Sequence, residues 1–252
     1  MDYMKRCVER DVLESKENKS DEPIVLITGD SYAETQFPLW EKLSRGSGKR
    51  IDFFMCFGAI PGMRLEDSRL SINQDRCMHL LEQAVREDNI ADFVITLKLA
   101  TRLIGWTAYE RNTHPDETEY YYITENELKG LSALENGLEQ TIKLVKQYHK
   151  GARVWLQMQP PEFPFNVSDH ADKNKDTKML RKNYNERVKP IIEILNKFGE
   201  NLHLIDLASR LCDDTYCYGV IDGTVMYIDH DHISPEGGLK LIELYEPIFA
   251  NH

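Results

Sequence analysis

Short apolar runs alternate with longer amphipathic stretches along most of this chain. Five of the runs are rich in β-branched and aromatic residues, which is typical of strands. The predicted strands span residues 24–28, 51–57, 92–99, 152–158 and 202–207. Several of the intervals between them carry apolar residues at three- and four-residue spacing, which predicts amphipathic helices. The predicted helices span residues 75–87, 124–149, 177–198 and 235–249.

Strands that alternate with helices predict parallel pairing through right-handed crossovers. We therefore expect a flavodoxin-like three-layer α/β/α sandwich with a mainly parallel five-stranded sheet. Thr124 and Glu127 form a capping-box pattern at the start of the helix predicted over 124–149. Asp222-Gly223 lies between two strand-like runs and is a strong signal for a β-hairpin.

Composition bounds the domain organisation and the partners. Residues 1–22 are charged and polar, which predicts a solvated leader or linker before a domain that spans residues 23–252. With 252 residues, of which 41% are hydrophobic, the chain can bury a full core. The formal net charge of −11 argues against nucleic acid and anionic membrane surfaces as partners. No apolar run approaches the roughly 18 residues of a membrane-spanning helix, and the first residues lack the apolar stretch of a signal peptide.

Two short motifs near opposite ends of the predicted domain carry candidate chemistry. Gly29-Asp30-Ser31 follows the first predicted strand, and Asp229-His230-Asp231-His232 precedes the last predicted helix. In an open α/β sheet, ligands bind outside the carboxyl ends of the strands, so we expect both motifs on the face where sites form. A serine becomes a nucleophile when a histidine takes its proton and a third group holds that histidine. Ser31, His232 and Asp229 could fill these catalytic roles.

The second motif leaves two alternatives open. His230 and Asp231 compete with His232 and Asp229 for the triad roles, although the helix start at Ser234 favours His232 because it fixes that residue just before the final helix. Two imidazoles and two carboxylates are also good ligands for zinc or iron. Adjacent side chains of a strand point to opposite faces, so these four groups could converge only from a loop. We therefore expect no metal.

Four of the five cysteines are candidates for disulfides. The spacing of Cys212 and Cys217 suits a short disulfide-closed loop, while Cys56 and Cys77 flank a loop that contains glycine and proline. Disulfides persist in oxidising compartments, so such bridges would indicate an extracytoplasmic location. If the cysteines are free, the same chain fits a cytoplasmic enzyme. Cys7 would be left over.

The two end motifs resemble those of the SGNH or GDSL-like esterase superfamily. The ending looks like the SGNH domain attached to membrane-spanning acyltransferase family 3 proteins. That domain commonly shows Tyr-x-Asp-Asp-x-His-Leu-Ser-x-x-Gly, where this chain has a Tyr-Ile-Asp-His-Asp-His-Ile-Ser-Pro-Glu-Gly sequence over residues 227–237. It also often has a Trp-x-x-Tyr motif after the third strand, matched by Trp106 and Tyr109, and cysteines near the positions of Cys56 and Cys77. The resemblance covers about residues 23–249.

The resemblance implies transfer or hydrolysis of a small acyl ester, usually acetyl, with a carbohydrate-like or lipid-linked acceptor. It further implies a membrane acyltransferase domain as a possible partner and an extracytoplasmic location. Ser31 would be the nucleophile, His232 the general base and Asp229 the group that orients His232. We expect no cofactor.

One departure from the family concerns the oxyanion. The wider superfamily has a Gly-x-Asn-Asp motif after the third strand, whose Asn donates to the oxyanion, whereas this chain has Lys-Leu-Ala-Thr-Arg-Leu-Ile-Gly-Trp at residues 98–106. The amides of Ser31 and Gly58 are the remaining oxyanion candidates, and Arg102 is a further one. The missing Asn keeps a second function open, in which a catalytically degraded domain binds a carbohydrate or a membrane partner.

Overall fold

A central sheet organises the molecule, and the computed structural model describes residues 11–12, 22–56, 58–66, 71–115 and 119–250. The strands in chain order are β1 (Asp11–Val12), β2 (Ile24–Gly29), β3 (Arg50–Phe54), β4 (Arg64–Leu65), β5 (Ile90–Thr96), β6 (Tyr122–Ile123), β7 (Arg153–Gln157), β8 (Lys178–Leu180), β9 (His203–Ile205), β10 (Tyr216–Tyr218), β11 (Val220–Ile221) and β12 (Thr224–Val225). The α-helices are α1 (Ser31–Thr35), α2 (Phe37–Ser44), α3 (Ser71–Glu87), α4 (Leu99–Ile104), α5 (Ala108–Thr113), α6 (Leu131–Tyr148), α7 (Val167–Asp172), α8 (Arg181–Leu195), α9 (Ala208–Leu211), α10 (Pro235–Lys240) and α11 (Glu246–Phe249). Two 3₁₀ helices span Asn196–Asn201 and Ile242–Leu244.

The central sheet has the strand order β1-β3-β2-β5-β7-β9. The last five strands in this order pair in parallel, which confirms the predicted five-stranded parallel sheet. β1 adds an antiparallel edge strand, since Asp11 pairs with Phe53 of β3. Two residues of the predicted leader therefore join the sheet, while residues 1–10 and 13–21 of that segment, Cys7 among them, lie outside the described residues.

The sheet is covered on both faces, as parallel sheets usually are. All six residues of β2 are buried, and their side chains alternate between two apolar clusters. Leu26 packs in one cluster with residues of α3 and α6, whereas Val25 and Ile27 pack in the other with residues of α2 and α11. The three-layer α/β/α sandwich predicted from the sequence is thus the observed architecture.

All four predicted helices begin or end elsewhere than expected. The helix predicted over 75–87 begins four residues earlier, at Ser71. The helix predicted over 124–149 begins at Leu131, because Ile123 pairs with Arg64 and the following turn closes on itself through the Thr124 hydroxyl, which accepts the Leu128 N–H at 3.2 Å. The predicted capping box is therefore wrong. The first residues of the helix predicted over 177–198 form β8, which pairs with β10. The final helix is broken into α10, a 3₁₀ turn and α11, which starts with a proline in its first turn.

The hairpin predicted at Asp222-Gly223 is confirmed. It joins β11 to β12, with φ angles of 48° and 75° at its two central residues. Two positive φ values are what a type I′ turn requires, and the Asp-Gly pair provides them at low cost. The chain that leaves this hairpin continues directly into the Asp229–His232 motif.

Two disulfides are present in the structure, between Cys56 and Cys77 and between Cys212 and Cys217. The first joins the loop after β3 to α3, and the second closes the turn before β10. Across the described ranges, no helix combines the length and the apolar character needed to cross a membrane.

At the opposite end of the strands from the two motifs, the buried carboxylate of Asp92 pairs with two cations and accepts a hydrogen bond from a tryptophan. Its carboxylate lies 2.9 Å from the Lys49 Nζ, 2.7 Å from the Arg153 Nε and 2.8 Å from the Trp155 Nε1. Lys49 and Arg153 also donate to the carbonyl of Ile248, at 2.7 and 3.0 Å. This cluster thereby attaches the C-terminal helix to the start of the sheet.

Asp92→Asn should lower the free energy of unfolding by about 3 kcal/mol, because it leaves the buried Lys49 and the half-buried Arg153 without their carboxylate. Urea denaturation of the purified protein measures the change. Asp169→Asn is the matched control, since its side chain is 62% exposed and its ion pair with Lys173 spans 3.8 Å; it should change stability by less than about 0.5 kcal/mol. Equal effects of the two substitutions would contradict this role of Asp92.

Candidate active site

The Gly29-Asp30-Ser31 motif forms the tight turn from β2 into α1. A Cβ on Gly29 would lie 2.2 Å from the carbonyl oxygen of Thr96 in β5, so only glycine fits this position. Asp30 caps α1 by accepting the N–H of Tyr32 at 3.1 Å with Oδ1. Its Oδ2 accepts the N–H of Lys98 at 2.8 Å. The carboxyl ends of β2 and β5 are therefore held together, and Ser31 begins a helix at this edge.

The Asp229–His232 motif lies on a loop that is closed at its base. Tyr227 and Ile233 form an isolated bridge, and the hydroxyl of Ser234 accepts the N–H of Gly237 at 2.9 Å to cap α10. The loop tip places its polar side chains over the carboxyl edge of the sheet, beside Ser31. Sequence positions 201 apart are thereby brought into contact.

The three residues predicted for catalysis lie in a continuous chain. Ser31 Oγ and His232 Nε2 are 2.8 Å apart, and His232 Nδ1 is 2.8 Å from Asp229 Oδ2. The other oxygen of Asp229 accepts the N–H groups of Asp231 and His232, at 2.9 and 2.8 Å. These two bonds fix the carboxylate against the ring. With its proton on Nδ1, a neutral His232 presents an acceptor nitrogen to the Ser31 hydroxyl.

A second carboxylate approaches the same imidazole nitrogen. Asp231 Oδ1 lies 2.9 Å from His232 Nδ1. Within the described part of the chain this oxygen makes no hydrogen bond, because the ring N–H points to Asp229. Asp231 Oδ2 accepts the Tyr32 hydroxyl at 2.9 Å and lies 2.6 Å from Lys98 Nζ. Asp231 therefore acts on the ring through its charge.

The Lys98 ammonium links Asp231 to a third buried carboxylate. Its Nζ lies 2.9 Å from Glu110 Oε1. Glu110 also accepts the hydroxyls of Thr101 and Thr107, at 2.9 and 3.0 Å, and completes the capping box of α5. Lys98 thus connects the end of β5 with the loop that carries His232 and with α5.

His230 and the Trp-x-x-Tyr motif lie at the border of this network. The His230 ring is 4.9 Å from that of Tyr109, and its Nε2 is 3.6 Å from Asp231 and 3.8 Å from Glu110. These distances exceed those of hydrogen bonds. Trp106 contacts His114, with ring centroids 6.1 Å apart. Of the two histidines in the motif, only His232 reaches Ser31.

Charge and burial shift the pKa values of this network strongly. Burial by itself lowers the pKa of His232, but the hydrogen bond to Asp229 and the adjacent Asp231 raise it to about 10. Burial likewise raises the pKa of Asp231, yet the Lys98 ammonium and the His232 ring hold it well below its usual range. Two carboxylates therefore favour the protonated imidazole, and Lys98 offsets one of them.

The oxyanion candidates are the backbone N–H groups of Ser31 and Gly58, which lie on the turns after β2 and β3. As the first residue of α1, Ser31 has no acceptor for its N–H inside the helix. The Gly58 N–H lies 3.4 Å from the Gly29 carbonyl oxygen, which is longer than a normal N–H···O bond. Gly58 has φ +82°, and a Cβ there would lie 2.8 Å from the Tyr122 hydroxyl. This turn is therefore specific for glycine irrespective of any catalytic role.

Gln159, in the loop after β7, contacts the segment that departs from the superfamily pattern. Its Oε1 accepts the N–H groups of Leu99 and Ala100, at 2.9 and 3.2 Å, and so caps α4. Its Nε2 donates to the Tyr32 hydroxyl at 2.8 Å. Arg102 is half-buried on the same helix, where its charge lowers the pKa of Asp30 against a larger opposing effect of burial.

A cavity of about 210 Å³ lies next to this network. Tyr109, Gln159 and Glu162 line it on one side, with Asn183 and Arg187 of α8 among the lining residues on the other. Glu162 is held by Arg187 at 2.8 Å. The cavity thus has an aromatic ring, an amide and an ion pair in its wall, groups that can contact a polar ligand.

Some acidic groups here converge in a way that could ligate a metal ion. Asp229, Asp231 and His232 form one such group, and Glu110, His230 and Asp231 form another. The Lys98 ammonium already contacts Asp231 and Glu110, at 2.6 and 2.9 Å. The fold therefore supplies its own cation to these carboxylates.

Sequence reasoning missed Lys98, Glu110 and Gln159, and it treated Asp231 as a rival of Asp229 or as a candidate metal ligand. Lys98 had a detectable signal, because it follows β5 just as Ser31 follows β2, and parallel strands end at one edge. Glu110 and Gln159 carried none, since their contacts depend on how helices and loops pack over that edge.

Comparison with known protein families gives a match over almost the whole chain. A family model for the SGNH domain fused to AT3 domains matches residues 5–247. No curated protein matches the chain in sequence.

Two solved structures share the fold. The periplasmic domain of a Salmonella ser. Paratyphi A lipopolysaccharide acetyltransferase is 15% identical, with a TM-score of 0.58 over 96% of this chain and 85% of that one. A Streptococcus pneumonia protein provisionally assigned as a platelet activating factor is 12% identical, with a TM-score of 0.51 over 93% of this chain and 87% of that one. At these identities the likeness concerns the fold alone.

The His232 ring should titrate with a pKa near 10, because Asp229 and Asp231 both lie within 3 Å of its Nδ1. NMR of histidine-labelled protein between pH 6 and pH 11 measures the value, and a His232→Gln protein identifies the resonance by its loss. A ring that titrates near the ordinary value of about 6.5 would contradict the two-carboxylate geometry.

Proposed function

The chain belongs to the family of SGNH domains fused to AT3 domains, and we propose that it is a serine-dependent acyl-ester enzyme, either an O-acyltransferase or an acetylesterase. The observation that carries the proposal is the chain of contacts from Ser31 Oγ through His232 to Asp229, with both links at 2.8 Å. These are the distances that a nucleophile, its base and the base's orienting group require.

In the proposed reaction, Ser31 Oγ attacks the carbonyl carbon of an acyl ester while His232 Nε2 takes the hydroxyl proton. Asp229 stabilises the imidazolium that forms. The tetrahedral intermediate collapses, and the leaving alcohol takes the proton from His232. Water or an acceptor hydroxyl then attacks the acyl-serine, again losing its proton to His232, and Ser31 Oγ leaves with that proton, which restores the free serine and the neutral ring. The products are a carboxylic acid in hydrolysis and a new ester in transfer.

The negative oxygen of the tetrahedral intermediate needs donors. We assign this role to the N–H groups of Ser31 and Gly58, both on turns at the carboxyl edge of the sheet. The 3.4 Å contact of the Gly58 N–H with Gly29 leaves that donor only weakly engaged. Loss of one oxyanion donor typically costs about 10²–10³ in turnover, so an enzyme without the superfamily's Asn should be slow.

The acyl group is small and the acceptor carbohydrate-like in this proposal. The support is the family description, which joins this domain to AT3 domains, and the acetyltransferase among the proteins of similar fold. A membrane acyltransferase domain is then the natural partner. The disulfides Cys56–Cys77 and Cys212–Cys217 support an extracytoplasmic location, since such bridges persist in oxidising compartments. The reaction as written uses no cofactor.

A second function, carbohydrate or partner binding without catalysis, is favoured by one observation. His232 has a pKa near 10, so at neutral pH most of the imidazole is protonated and unable to act as a base. Together with the missing Asn, this would suit a domain that keeps the fold and the cavity but has lost turnover.

Ser31→Ala should abolish hydrolysis of p-nitrophenyl acetate and labelling by a fluorophosphonate probe, with a fall in kcat of about 10⁴-fold or more because the nucleophile is lost. The matched control is Ser132→Ala, which removes an exposed serine from the first turn of α6 and should leave both readouts unchanged.

Activity of the Ser31→Ala protein at the level of the unsubstituted protein would overturn the enzymatic proposal. Absence of labelling in the unsubstituted protein, together with saturable binding of an oligosaccharide, would favour the binding function.

A further inference from the structure

Lys98 is a buried cation between two carboxylates that belong to different elements. Its side chain is 15% exposed, and its Nζ lies 2.6 Å from Asp231 and 2.9 Å from Glu110. Its backbone N–H is fixed by Asp30 at 2.8 Å. The residue lies two positions after the end of β5, and its side chain reaches Asp231 in the loop that carries His232. The reaction proposed above does not use it.

Asp231 is the more deeply buried of the two carboxylates beside His232. Its side chain is 0% exposed, against 36% for Asp229. Solvent screens a buried charge least, so Asp231 acts strongly on the nearby ring. An unpaired buried carboxylate would also be costly and would keep the imidazole protonated. The contacts with Lys98 and Tyr32 hold the Asp231 carboxylate in place, and the ammonium offsets its charge.

We propose that Lys98 is a positioning residue for His232: it holds the Asp231 carboxylate beside Nδ1 and offsets its charge, so that the ring holds its own proton less tightly and can accept that of Ser31. This assignment rests on the proposed function. The network also departs from the family pattern, because His230 and Asp231 stand where that pattern has Asp followed by any residue.

Titratable and charged groups face His232 from several elements. Those on its own loop are Asp229, His230 and Asp231; those from the β2–α1 turn are Asp30 and Tyr32; Lys98 comes from the end of β5; and behind Lys98 and Asp231 lie Glu110 of α5 and Glu162 of the loop after β7. Arg102 of α4 acts on Asp30, and Arg187 of α8 pairs with Glu162 at 2.8 Å. Lys98 is the cation in contact with Asp231, the carboxylate beside the His232 ring. Removing Lys98 should therefore raise the pKa of His232, and removing the charge of Asp231 should lower it.

The test measures the His232 titration by NMR in the full chain with Ser31 intact. Lys98→Met should raise the His232 pKa by about one unit, which is a tenfold change in the proton dissociation constant. Asp231→Asn should lower it by about one unit or more. Lys98→Arg keeps the charge and should leave it near the value of the unsubstituted protein. Lys182→Met is the control, since Lys182 is 78% exposed on α8 and should shift nothing.

Where p-nitrophenyl acetate is turned over, the pH profile of kcat/KM should show the same shifts, because it follows the pKa of the base in the free enzyme. The profile of Lys98→Met should move to higher pH, and that of Asp231→Asn to lower pH. A merely structural role would change the rate or the stability without opposite shifts. If Lys98→Met fails to fold, the His232 titrations of Asp231→Asn and Lys98→Arg still test whether the charges of Asp231 and Lys98 set the pKa of the ring.

The assignment is overturned if Lys98→Met and Asp231→Asn shift the His232 pKa in the same direction, or if Asp231→Asn leaves it unchanged. Failure of the proposed function looks different: the protein would be inactive toward acyl esters and probes, while the NMR titrations would still show whether Lys98 controls His232.

Discussion

The contact between the Ser31 hydroxyl and the His232 ring is the interaction on which this account depends. It joins two loops that are far apart in the sequence, and only the parallel sheet makes it possible, because β2 and β5 end at the same edge. Gly29 allows those two strands to approach, and Asp30 ties the turns that follow them. The hairpin of β11 and β12 then feeds the histidine loop over this edge. The strands and the hairpin that build the fold therefore also position the site.

Electrostatics decides what this geometry can do. A histidine with two carboxylates at one nitrogen is a well-oriented ring, yet it holds its proton tightly. In the structure, the ammonium of Lys98 lies against Asp231, the more deeply buried of the two carboxylates, and offsets its charge. Asp229 and Asp231 can accordingly differ in function although they are two residues apart: the first accepts the ring N–H, and the second acts through a charge that Lys98 compensates. In the proposed reaction, the rate then also depends on the donors to the oxyanion.

The sequence predicted the sheet well because buried parallel strands read as continuous apolar runs, as in Ile24–Gly29. It misplaced the start of α6, since Thr124 and Glu127 satisfy a local capping pattern while tertiary pairing of Ile123 with Arg64 commits that segment to a turn. Ser31, His232 and Asp229 could be named from their motifs. Lys98 could have been noticed from its place after a second strand that ends at the same edge. Glu110 and Gln159 could not, because their roles arise from contacts between elements distant in sequence, which no local pattern encodes. The proposed boundary at residue 23 stays a prediction.

The central claim, that Ser31 becomes the acylated nucleophile, is tested most directly by trapping the intermediate. The protein would be mixed with p-nitrophenyl acetate, quenched in acid within the first turnover, digested and mapped by mass spectrometry. The account predicts one acetyl group on the peptide that contains Ser31 and none on that peptide in a His232→Gln protein. Acetylation of another residue in place of Ser31, or equal acetylation of Ser31 without His232, would contradict it.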